Sequence, residues 1–532
     1  MLSTEKAMQI VFDAENGRAE QLDQIAVIQA AGNSDGTDKT VTYAEFQKMQ
    51  DRAVAAFQSF KIEPKDRVLL NCPNSPELAA AIAAIWRMGA VAVPVDFRLT
   101  EKEVENVANQ VGVKLLCGSS RFNPNLTNSY THANARKFDL KNLSDDAGFT
   151  SLDIDSSVVE NAAAAKNRPT LDVHAPALVI LTSGTTGIPK GAVHDLHTLI
   201  TNLCQLGPLV DLNYGKKMLV PLPLSHVFGL EVFFAAFLHG SPVIFTELSP
   251  QSFFTCAKKY EPQVYIGVPT LYGAMLALPP GTLDLKKAEW VLSGGATLPV
   301  SLAQDFEKKY GIRLCNGYGS TEAKIMAFNL DGPLDAVGKI IPSVKVTITD
   351  ENGKAIPDGQ TGEIHISGSC LMMGYLDNPA ATMAVLKDGQ YNTGDMGFMK
   401  DERLYISGRN KEMIVVAGNK VFPSEVEDVL RSHNLVKEVA VIGIPNKQLG
   451  QVVKAIVVLN DDEKSKKLEG DVQTARTARH DLIAELKEFC KQHLKRELRP
   501  MEYDFLPSHK ALPKTSSGKI DKKALMPATT SN

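Results

Sequence analysis

At 532 residues the chain is longer than one hydrophobic core usually organises, so we expect two or more domains. Its composition, with 44% hydrophobic and 22% charged residues and a formal net charge of -4, is typical of a soluble globular protein and gives no reason to expect nucleic acid as a partner. The seven cysteines have neither CxxC nor Cys/His metal spacing, which favours reduced thiols in a cytoplasmic protein over a disulfide framework.

The first predicted elements are a strand, a helix and a second strand. Val68 to Leu70 is a short apolar run, and Ser75 and Pro76 occupy the cap and first-turn positions of a helix that ends at Gly89. Ala90 to Val95 is the second strand. This order predicts a βαβ unit in a layered α/β architecture with a mainly parallel sheet. It also explains the longest apolar stretch of the chain, so we expect no integral membrane segment.

A loop rich in glycine and threonine follows a predicted strand at Ala177 to Ile180. Residues 181–193 read LTSGTTGIPKGAV, in which glycines let backbone amides approach an anion, hydroxyls donate and Lys190 adds a positive charge. Pro189 stands where GxxxxGK[ST] requires its second glycine, which disfavours a Walker-type NTPase. We predict a phosphate-binding loop of Thr182, Ser183, Gly184, Thr185, Thr186, Gly187 and Lys190.

The middle of the chain alternates strands and helices. The apolar runs Val264 to Val268 and Val291 to Gly295 are followed by, or end in, proline or glycine, as strands do where open α/β sheets place ligands. After Gly338, short alternating segments with a turn at 351–353 predict a small β-rich subdomain.

The last part of the chain predicts a compact α+β unit. A helix over Ser424 to His433 begins with a capping box of Ser424 and Glu427, strands are expected at 439–444 and 452–459, and a helix at 482–494. Residues 461–480 are charged and nearly lack apolar side chains, so we expect a solvated insertion rather than part of the fold.

The predicted architecture is an α/β fold with two domains. We place a large N-terminal domain of several subdomains, with mainly parallel sheets, at residues 1–409, its β-rich subdomain at about 338–409. A small, mobile α+β C-terminal domain occupies residues 410–532.

Five motifs resemble, in order and spacing, the adenylate-forming superfamily of acyl-CoA synthetases, aryl-CoA ligases, peptide-synthetase adenylation domains and luciferases. They are the loop at 182–190, NGYGSTEA at 316–323, YNTGD at 391–395, Gly408 with Arg409, and PKTSSGK at 513–519. The resemblance implies that ATP activates a carboxylic acid as its acyl-AMP, which then passes to a thiol.

The resemblance also implies residue roles. The loop at 182–190 would hold the β- and γ-phosphates, with Thr186 among the catalytic residues, and Glu322 would be both catalytic and the ligand of Mg2+. Thr321 would bond the α-phosphate, and Asp395 would accept both ribose hydroxyls. The remaining nucleotide contacts implied are Tyr318 against adenine, Asn316, Gly317 and Gly319 beside the base, and Arg409 near the ribose.

Family members use two orientations of the small domain, and the resemblance assigns residues to each. Lys519 would contact the attacking carboxylate and the α-phosphate, Lys411 would be the hinge, and Ala417 and Gly418 would lie beside CoA. Val415 departs from plant aryl-CoA ligases, which have a lysine at that place, and this weakens the case for that subgroup.

The acid pocket is expected to be apolar. In the matching stretch only Glu231 is acidic, away from the aspartate that amino-acid adenylation domains need. Lys324 is the nearby cation: pointing into the pocket it would favour a second carboxylate, but we expect a lysine flanked by apolar residues to extend to solvent. The pocket residues we predict are His226, Phe228, Val232, Gly294, Gly295, Ile325 and Met326.

These expectations lead to three hypotheses. The first is an acyl-CoA synthetase for an apolar monocarboxylic acid such as a fatty acid, using ATP, Mg2+ and CoA. The second is an acyl- or aryl-acid ligase that loads a carrier protein. The third is a non-catalytic nucleotide-binding regulator of the same fold. Acyl chain length, pathway and oligomeric state do not follow from the sequence.

Overall fold

The computed structural model describes residues 2–13, 17–30, 38–119, 136–143, 171–182, 189–460, 463–514 and 520–526. The α-helices in these ranges are α1 (Thr4–Phe12), α2 (Tyr43–Ser59), α3 (Pro76–Arg87), α4 (Glu101–Val111), α5 (Leu196–Leu209), α6 (Val227–His239), α7 (Pro250–Tyr260), α8 (Pro269–Leu276), α9 (Val300–Tyr310), α10 (Pro379–Val385), α11 (Pro423–Arg431), α12 (Glu463–Lys467) and α13 (Val472–His493).

The β-strands in the same ranges form three sheets. They are β1 (Ile25–Gln29), β2 (Lys39–Thr42), β3 (Arg67–Asn71), β4 (Val91–Val95), β5 (Leu115–Gly118), β6 (Arg136–Asp139), β7 (Pro176–Thr182), β8 (Lys190–Asp195), β9 (Met218–Val220), β10 (Val243–Phe245), β11 (Val264–Gly267), β12 (Trp290–Ser293), β13 (Leu314–Ser320), β14 (Lys324–Asn329), β15 (Ala336–Ile340), β16 (Val344–Thr349), β17 (Gly362–Gly368), β18 (Gly374–Tyr375), β19 (Leu386–Lys387), β20 (Gln390–Lys400), β21 (Arg403–Arg409), β22 (Ile414–Val416), β23 (Asn419–Val421), β24 (Val436–Asn446), β25 (Gly450–Leu459) and β26 (Glu502–Leu506).

The first sheet contains the predicted βαβ unit. Its order among the described strands is β18-β8-β7-β4-β3-β5-β6, and the run from β7 to β6 is parallel. Helix α3 begins as predicted, because the Ser75 hydroxyl accepts from the Leu78 amide and Pro76 occupies the first turn. Every residue of α3 from Pro76 to Trp86 is buried, so its apolar character serves the core and not a membrane. No helix in the described part of the chain is long and apolar enough to span a bilayer.

The second sheet is larger and mixed. Its central strands, from β13 through β12, β11, β9 and β10 to β1, are parallel. The predicted β-rich segment continues this sheet by antiparallel pairing of β14 with β15, so it extends the large sheet at one side. The two sheets share a core, since Trp86 of α3 packs on Phe234 of α6 with ring centroids 4.7 Å apart.

The third sheet, β23-β22-β25-β24 with β26 on β25, carries its own hydrophobic core with α11 and α13. This α/β fold, with a large N-terminal part and a small C-terminal α+β part, confirms the predicted fold class.

The predicted capping box of the C-terminal unit is wrong. Helix α11 begins at Pro423 with Phe422 as its cap residue, so Ser424 already lies inside the first turn. Its hydroxyl donates to the carbonyl of Ser407 at 2.7 Å, and Glu427 accepts from the amide of Val441 at 2.8 Å. Both side chains therefore bond across to neighbouring strands, because proline at the first position moved the helix start by one residue.

The predicted solvated insertion at 461–480 is also wrong in part. Helix α12 occupies Glu463–Lys467, and α13 begins at Val472, where Asp471 accepts from the amides of Gln473 and Thr474. The first turns of α13 reach into solvent, with Val472 87% exposed, and only Ala478 among them is buried. A polar composition here reflects an exposed helix end, not an absence of structure.

Candidate active site

The predicted phosphate loop is bracketed by two antiparallel strands. Thr182 ends β7 and Lys190 begins β8, and the two residues pair directly, with the Thr182 hydroxyl donating to the Lys190 carbonyl at 3.3 Å. The predicted loop residues Ser183, Gly184, Thr185, Thr186 and Gly187 lie outside the described residues. The described residues Thr182 and Lys190 therefore lie at adjoining ends of two strands in the first sheet, where an anion site is expected.

The Thr321–Glu322 turn connects β13 and β14. The two strands approach closely, since a Cβ added at Gly319 would lie 2.6 Å from the carbonyl oxygen of Lys324. Glu322 is held at both ends, because its backbone carbonyl accepts from the Met372 amide at 2.7 Å and its Oε1 accepts from the Tyr375 hydroxyl at 2.7 Å. Its carboxylate is therefore oriented before any ligand binds.

Tyr375 joins the phosphate loop to this turn. Its ring centre lies 5.1 Å from Lys190 Nζ, while its hydroxyl bonds Glu322. Burial, followed by the charge of Glu322, raises the pKa of Tyr375, so its hydroxyl keeps its hydrogen and remains a donor. The side chain of Tyr375 therefore contacts both the predicted phosphate-binding residue Lys190 and the predicted metal ligand Glu322.

The residues at this turn fit a magnesium ion that arrives with phosphates. Mg2+ prefers hard oxygen ligands and is commonly held by one or two carboxylates together with substrate phosphates. Glu322 supplies one oriented carboxylate, and in the described ranges no group of three or more His, Cys, Asp or Glu side chains could hold a metal alone. The donor set therefore matches a nucleotide-borne ion better than a resident one.

Asp395 organises the other end of the site. It pairs with Arg409 across β20 and β21, with Arg409 Nε 3.2 Å from Asp395 Oδ1, and its Oδ2 accepts from the Tyr318 hydroxyl at 2.6 Å. Burial, and next the charge of Asp395, raise the pKa of Tyr318. The structure therefore brings Tyr318, Asp395 and Arg409 together, with Asn316 and Gly317 preceding Tyr318 in β13.

The predicted acid pocket lies between α6 and the ends of β12 and β14. His226 precedes α6 and is exposed, Phe228 is half-buried, and Val232 is buried one turn further along. The Phe228 ring lies on Gly294, where an added Cβ would come within 2.7 Å of its Cε1. Gly295 is exposed with φ +76°, whereas Ile325 and Met326 are buried.

A small apolar cavity of about 20 Å³ lies in the core beside α6. Two predicted pocket residues, Val232 and Ile325, line it. The eight other lining residues are also apolar: Leu206, Val210, Leu212, Met218, Ala235, Ile266, Leu292 and Phe328. The cavity has room for about one water but offers it no polar partner, so it favours an apolar group.

The expectation that Lys324 extends to solvent is wrong. The residue is fully buried with φ +58°, and its ammonium lies 2.7 Å from the Cys370 carbonyl, 3.2 Å from His194 Nδ1 and 3.3 Å from the Thr198 hydroxyl. Burial lowers the pKa of Lys324 and raises that of Glu231, although the charge on each residue favours the charged form of the other. Glu231 accepts from the Ile325 amide at 2.8 Å, so neither side chain faces the predicted acid pocket as a free charge.

The residues predicted for the hinge and the thiol-entry loop lie at the start of the small C-terminal unit. Lys411 is exposed within a 3-10 turn at Asn410–Glu412, and Asn410 donates to Glu363 at 2.7 Å. Ala417 and Gly418 form the exposed tip of the β22–β23 hairpin, with φ of +48° and +85°.

Lys519 lies outside the described residues. Its described flanks, Lys514 and Ile520, form an antiparallel bridge, and Lys514 Nζ lies 2.8 Å from Glu438 of β24. The described flank Lys514 is therefore tied to the third sheet.

Sequence reasoning missed two residues of this site. Tyr375 stands in GYLDNP and His194 in an apolar strand, and neither lies in a motif that we recognised. For Tyr375 the available signal was local: Gly374 and Tyr375 stand shortly before the helix that begins at Pro379. His194 had none, because its role depends on Thr321, in a turn distant along the chain.

Comparisons with known proteins agree with this geometry. The family described as AMP-binding enzyme matches residues 14–376, and its C-terminal domain matches residues 425–519. A long-chain-fatty-acid--CoA ligase of Bacillus subtilis (strain 168) is 28% identical over 532 residues, covering 93% of this chain and 91% of that protein. A feruloyl-CoA synthase of an Amycolatopsis species is 31% identical over 442 residues, covering 81% and 85%.

Solved structures share the fold. The crystal structure of ATP-bound MatB from Rhodopseudomonas palustris aligns with a TM-score of 0.81 at 24% identity and covers 98% of both chains. The o-succinylbenzoate CoA synthetase MenE from Bacillus subtilis, in complex with its acyl-adenylate intermediate, aligns with a TM-score of 0.76 at 23% identity and covers 97% of both chains.

Proposed function

Because the chain belongs to the AMP-binding enzyme family as an AMP-forming acid–CoA ligase, we propose that it activates an apolar monocarboxylic acid, such as a fatty acid, and transfers the acyl group to CoA. The observation that carries the proposal is that Tyr375 contacts both Lys190, through its ring, and Glu322, through its hydroxyl. It sets a cation from the phosphate loop beside an oriented carboxylate, which is what a metal-bound triphosphate requires.

In the first step a carboxylate oxygen of the acid attacks the α-phosphorus of ATP. A new O–P bond forms while the bond to pyrophosphate breaks, and negative charge builds up between groups that already repel. Lys190, Thr186 and the other loop residues bind the β- and γ-phosphates, Thr321 binds the α-phosphate, and Lys519 contacts the attacking carboxylate. Mg2+ held by Glu322 and the phosphates would neutralise charge on the leaving pyrophosphate.

The nucleoside is held by the group of Tyr318, Asp395 and Arg409. Asp395 accepts the ribose hydroxyls while Arg409 and Tyr318 keep its carboxylate in place, and Tyr318 presents its ring to adenine. Asn316, Gly317 and Gly319 line the base because they belong to the same strand, β13. The buried position of Asp395 excludes water from this contact and strengthens it.

In the second step the sulfur of CoA attacks the acyl carbon of acyl-AMP. A C–S bond forms while the C–O bond to AMP breaks, which releases AMP and one proton. Ala417 and Gly418 lie beside the entering thiol after the small domain, residues 410–532, rotates at Lys411 relative to residues 1–409. The exposure of Lys411 and of the hairpin tip supports this assignment.

The acid enters against Phe228 and Gly294. The lining is apolar at Val232 and Ile325, and Lys324 is engaged by other partners, so a second carboxylate finds no free cation among these described residues. An aryl acid is the second candidate, since a feruloyl-CoA synthase is 31% identical to this chain.

The cellular location and the acceptor belong to the same proposal. A cytoplasmic location is supported by the seven cysteines, all in the described part of the chain and none in a disulfide. A carrier protein is the alternative acceptor to CoA.

Acid-dependent exchange between ATP and pyrophosphate tests the proposal. A panel of fatty acids from C2 to C16, ferulate, malonate and amino acids is assayed, and the best acid is then supplied with CoA or with a phosphopantetheinylated carrier protein. We expect exchange with apolar monocarboxylates and thioester formation with CoA. Preference for malonate or an amino acid would contradict the substrate class, and transfer to the carrier alone would contradict the acceptor.

A further inference from the structure

A fully buried ammonium group lies behind the Thr321–Glu322 turn. The three hydrogens of Lys324 Nζ have three acceptors within 3.3 Å: the Cys370 carbonyl, His194 Nδ1 and the Thr198 hydroxyl. The backbone of Lys324 adopts φ +58°, a conformation that non-glycine residues rarely take. Burying this charge and straining this backbone both cost free energy, so an apolar side chain here would be the simpler choice for stability alone.

One of these acceptors, His194, links Lys324 to Thr321. Because Lys324 donates to His194 Nδ1, the hydrogen of the neutral imidazole must sit on Nε2, which lies 2.8 Å from the Thr321 carbonyl and donates to it. The ring itself is fully buried in β8, so its orientation is set by these two bonds and by packing. One imidazole ring therefore links Lys324 to the Thr321 carbonyl.

A second acceptor, the Cys370 carbonyl, links Lys324 to Glu322. The carbonyl of Cys370 that Lys324 binds precedes Met372, whose amide donates to the Glu322 carbonyl at 2.7 Å, and the same segment continues into Tyr375. Tyr375 then donates to Glu322 Oε1 at 2.7 Å. The segment 370–375 thus touches both ends of Glu322 and is tied down at its start by Lys324.

We propose that Lys324, acting through His194 and the segment 370–375, is a positioning residue that holds Thr321 and Glu322 in the orientation that binds the metal–triphosphate. The proposal rests on the proposed function in one respect, which is that the proposed function identifies the metal–triphosphate as the ligand of Thr321 and Glu322.

Two matched pairs of variants separate positioning from general stability. Lys324→Met removes the ammonium and keeps the length of the side chain. Lys309→Met is its control, because Lys309 also donates to backbone carbonyls, including Leu276 at 2.8 Å, but ties α9 to the end of α8 and not to the Thr321–Glu322 turn. His194→Leu removes the donor to Thr321, whereas the amide of His194→Gln can donate to Thr321 and accept from Lys324.

The measurement is calorimetric ATP binding with and without Mg2+, together with thermal unfolding of each protein. In Lys324→Met and His194→Leu we expect the gain in ATP affinity from Mg2+ to fall by about tenfold or more, as for groups that orient a metal ligand. Binding of metal-free ATP should change little, and Lys309→Met and His194→Gln should keep the gain. If Lys324→Met does not fold, the His194 pair decides.

Equal Mg2+ gain in all folded variants, a loss in Lys309→Met as large as in Lys324→Met, or no gain in the unsubstituted protein would overturn the proposal. Failure of the proposed function would appear elsewhere, as an absence of acid-dependent pyrophosphate exchange in the unsubstituted protein. The two failures are distinct because the calorimetry uses no acid and no turnover.

Discussion

The hydroxyl of Tyr375 donates to Glu322 Oε1 at 2.7 Å, and the ring of the same tyrosine lies 5.1 Å from Lys190 Nζ. Tyr375 belongs to β18, which pairs with β8, so the strand that begins with Lys190 also places the tyrosine. Two motifs that the sequence analysis treated separately are therefore coupled through a side chain in neither of them.

Tyr375→Phe removes the hydroxyl and keeps the ring beneath Lys190. We expect pyrophosphate exchange to fall by about tenfold and to require more Mg2+, because Glu322 loses its orienting partner. The assay is exchange rate against Mg2+ concentration. Tyr310→Phe is the control, since it removes an equally buried hydroxyl bond, to Met275 at 2.6 Å, elsewhere in the fold. An unchanged Mg2+ requirement in Tyr375→Phe would show that the bond does not orient Glu322.

Asp395→Asn keeps the shape of the side chain and removes its charge. We expect KM for ATP to rise by about tenfold or more, because hydrogen bonds to a charged group contribute about 1.5–3 kcal/mol. KM for the acid should stay the same. Asp401→Asn, in the exposed turn between β20 and β21, is the control. A rise in KM for the acid alone would move Asp395 from the ribose to the acid.

Phe228→Ala removes the ring that lies on Gly294, one turn of α6 before Val232, which lines the apolar cavity with Ile325. We expect the preferred acid to become longer, with kcat/KM rising about fourfold per added methylene until the space is filled, since each buried CH2 contributes about 0.8 kcal/mol. The measurement is kcat/KM over acids from C2 to C16. Phe60→Ala, a partly buried ring on the Phe138 side of the core, controls for lost stability. The same chain-length profile in Phe228→Ala and the unsubstituted enzyme would place the acid elsewhere.

Lys519→Ala is predicted to separate the two half-reactions. Adenylation should fall by at least about 100-fold, because a positioned charge at the phosphoryl transition state is lost. Conversion of supplied acyl-AMP and CoA to thioester should continue. Lys514→Ala is the control within the same basic segment, where Lys514 pairs with Glu438 at 2.8 Å. Equal loss in both half-reactions would give Lys519 a structural role.

Lys411→Pro tests the hinge. Proline fixes φ within the 3-10 turn at Asn410–Glu412, so acyl-AMP should still form while thioester formation collapses. The two products are measured separately in single-turnover experiments. Normal overall turnover in this variant would remove Lys411 from the hinge role, and loss of acyl-AMP formation would show damage to the first step.

Local patterns predicted the strands and helices whose chemistry is contained within a few residues. Ser75 and Pro76 start α3 and the apolar run 177–180 forms β7, because caps, proline geometry and alternation act over one or two turns. The same local reasoning failed at Ser424, where Pro423 begins the helix one residue earlier and the hydroxyl found a strand carbonyl instead.

The order and spacing of five motifs were enough to predict the family, and through the resemblance they led to predicted residues for phosphate, metal and ribose. How the described ones among these residues are held follows from the fold alone. Tyr375 reaches Glu322, Tyr318 reaches Asp395, and Lys324 turns inward to Cys370 and His194 because strands distant along the chain lie side by side. Such contacts leave no local pattern: a lysine among apolar residues has the same sequence whether it extends to solvent or is buried, and only the acceptors that folding places around it make burial possible.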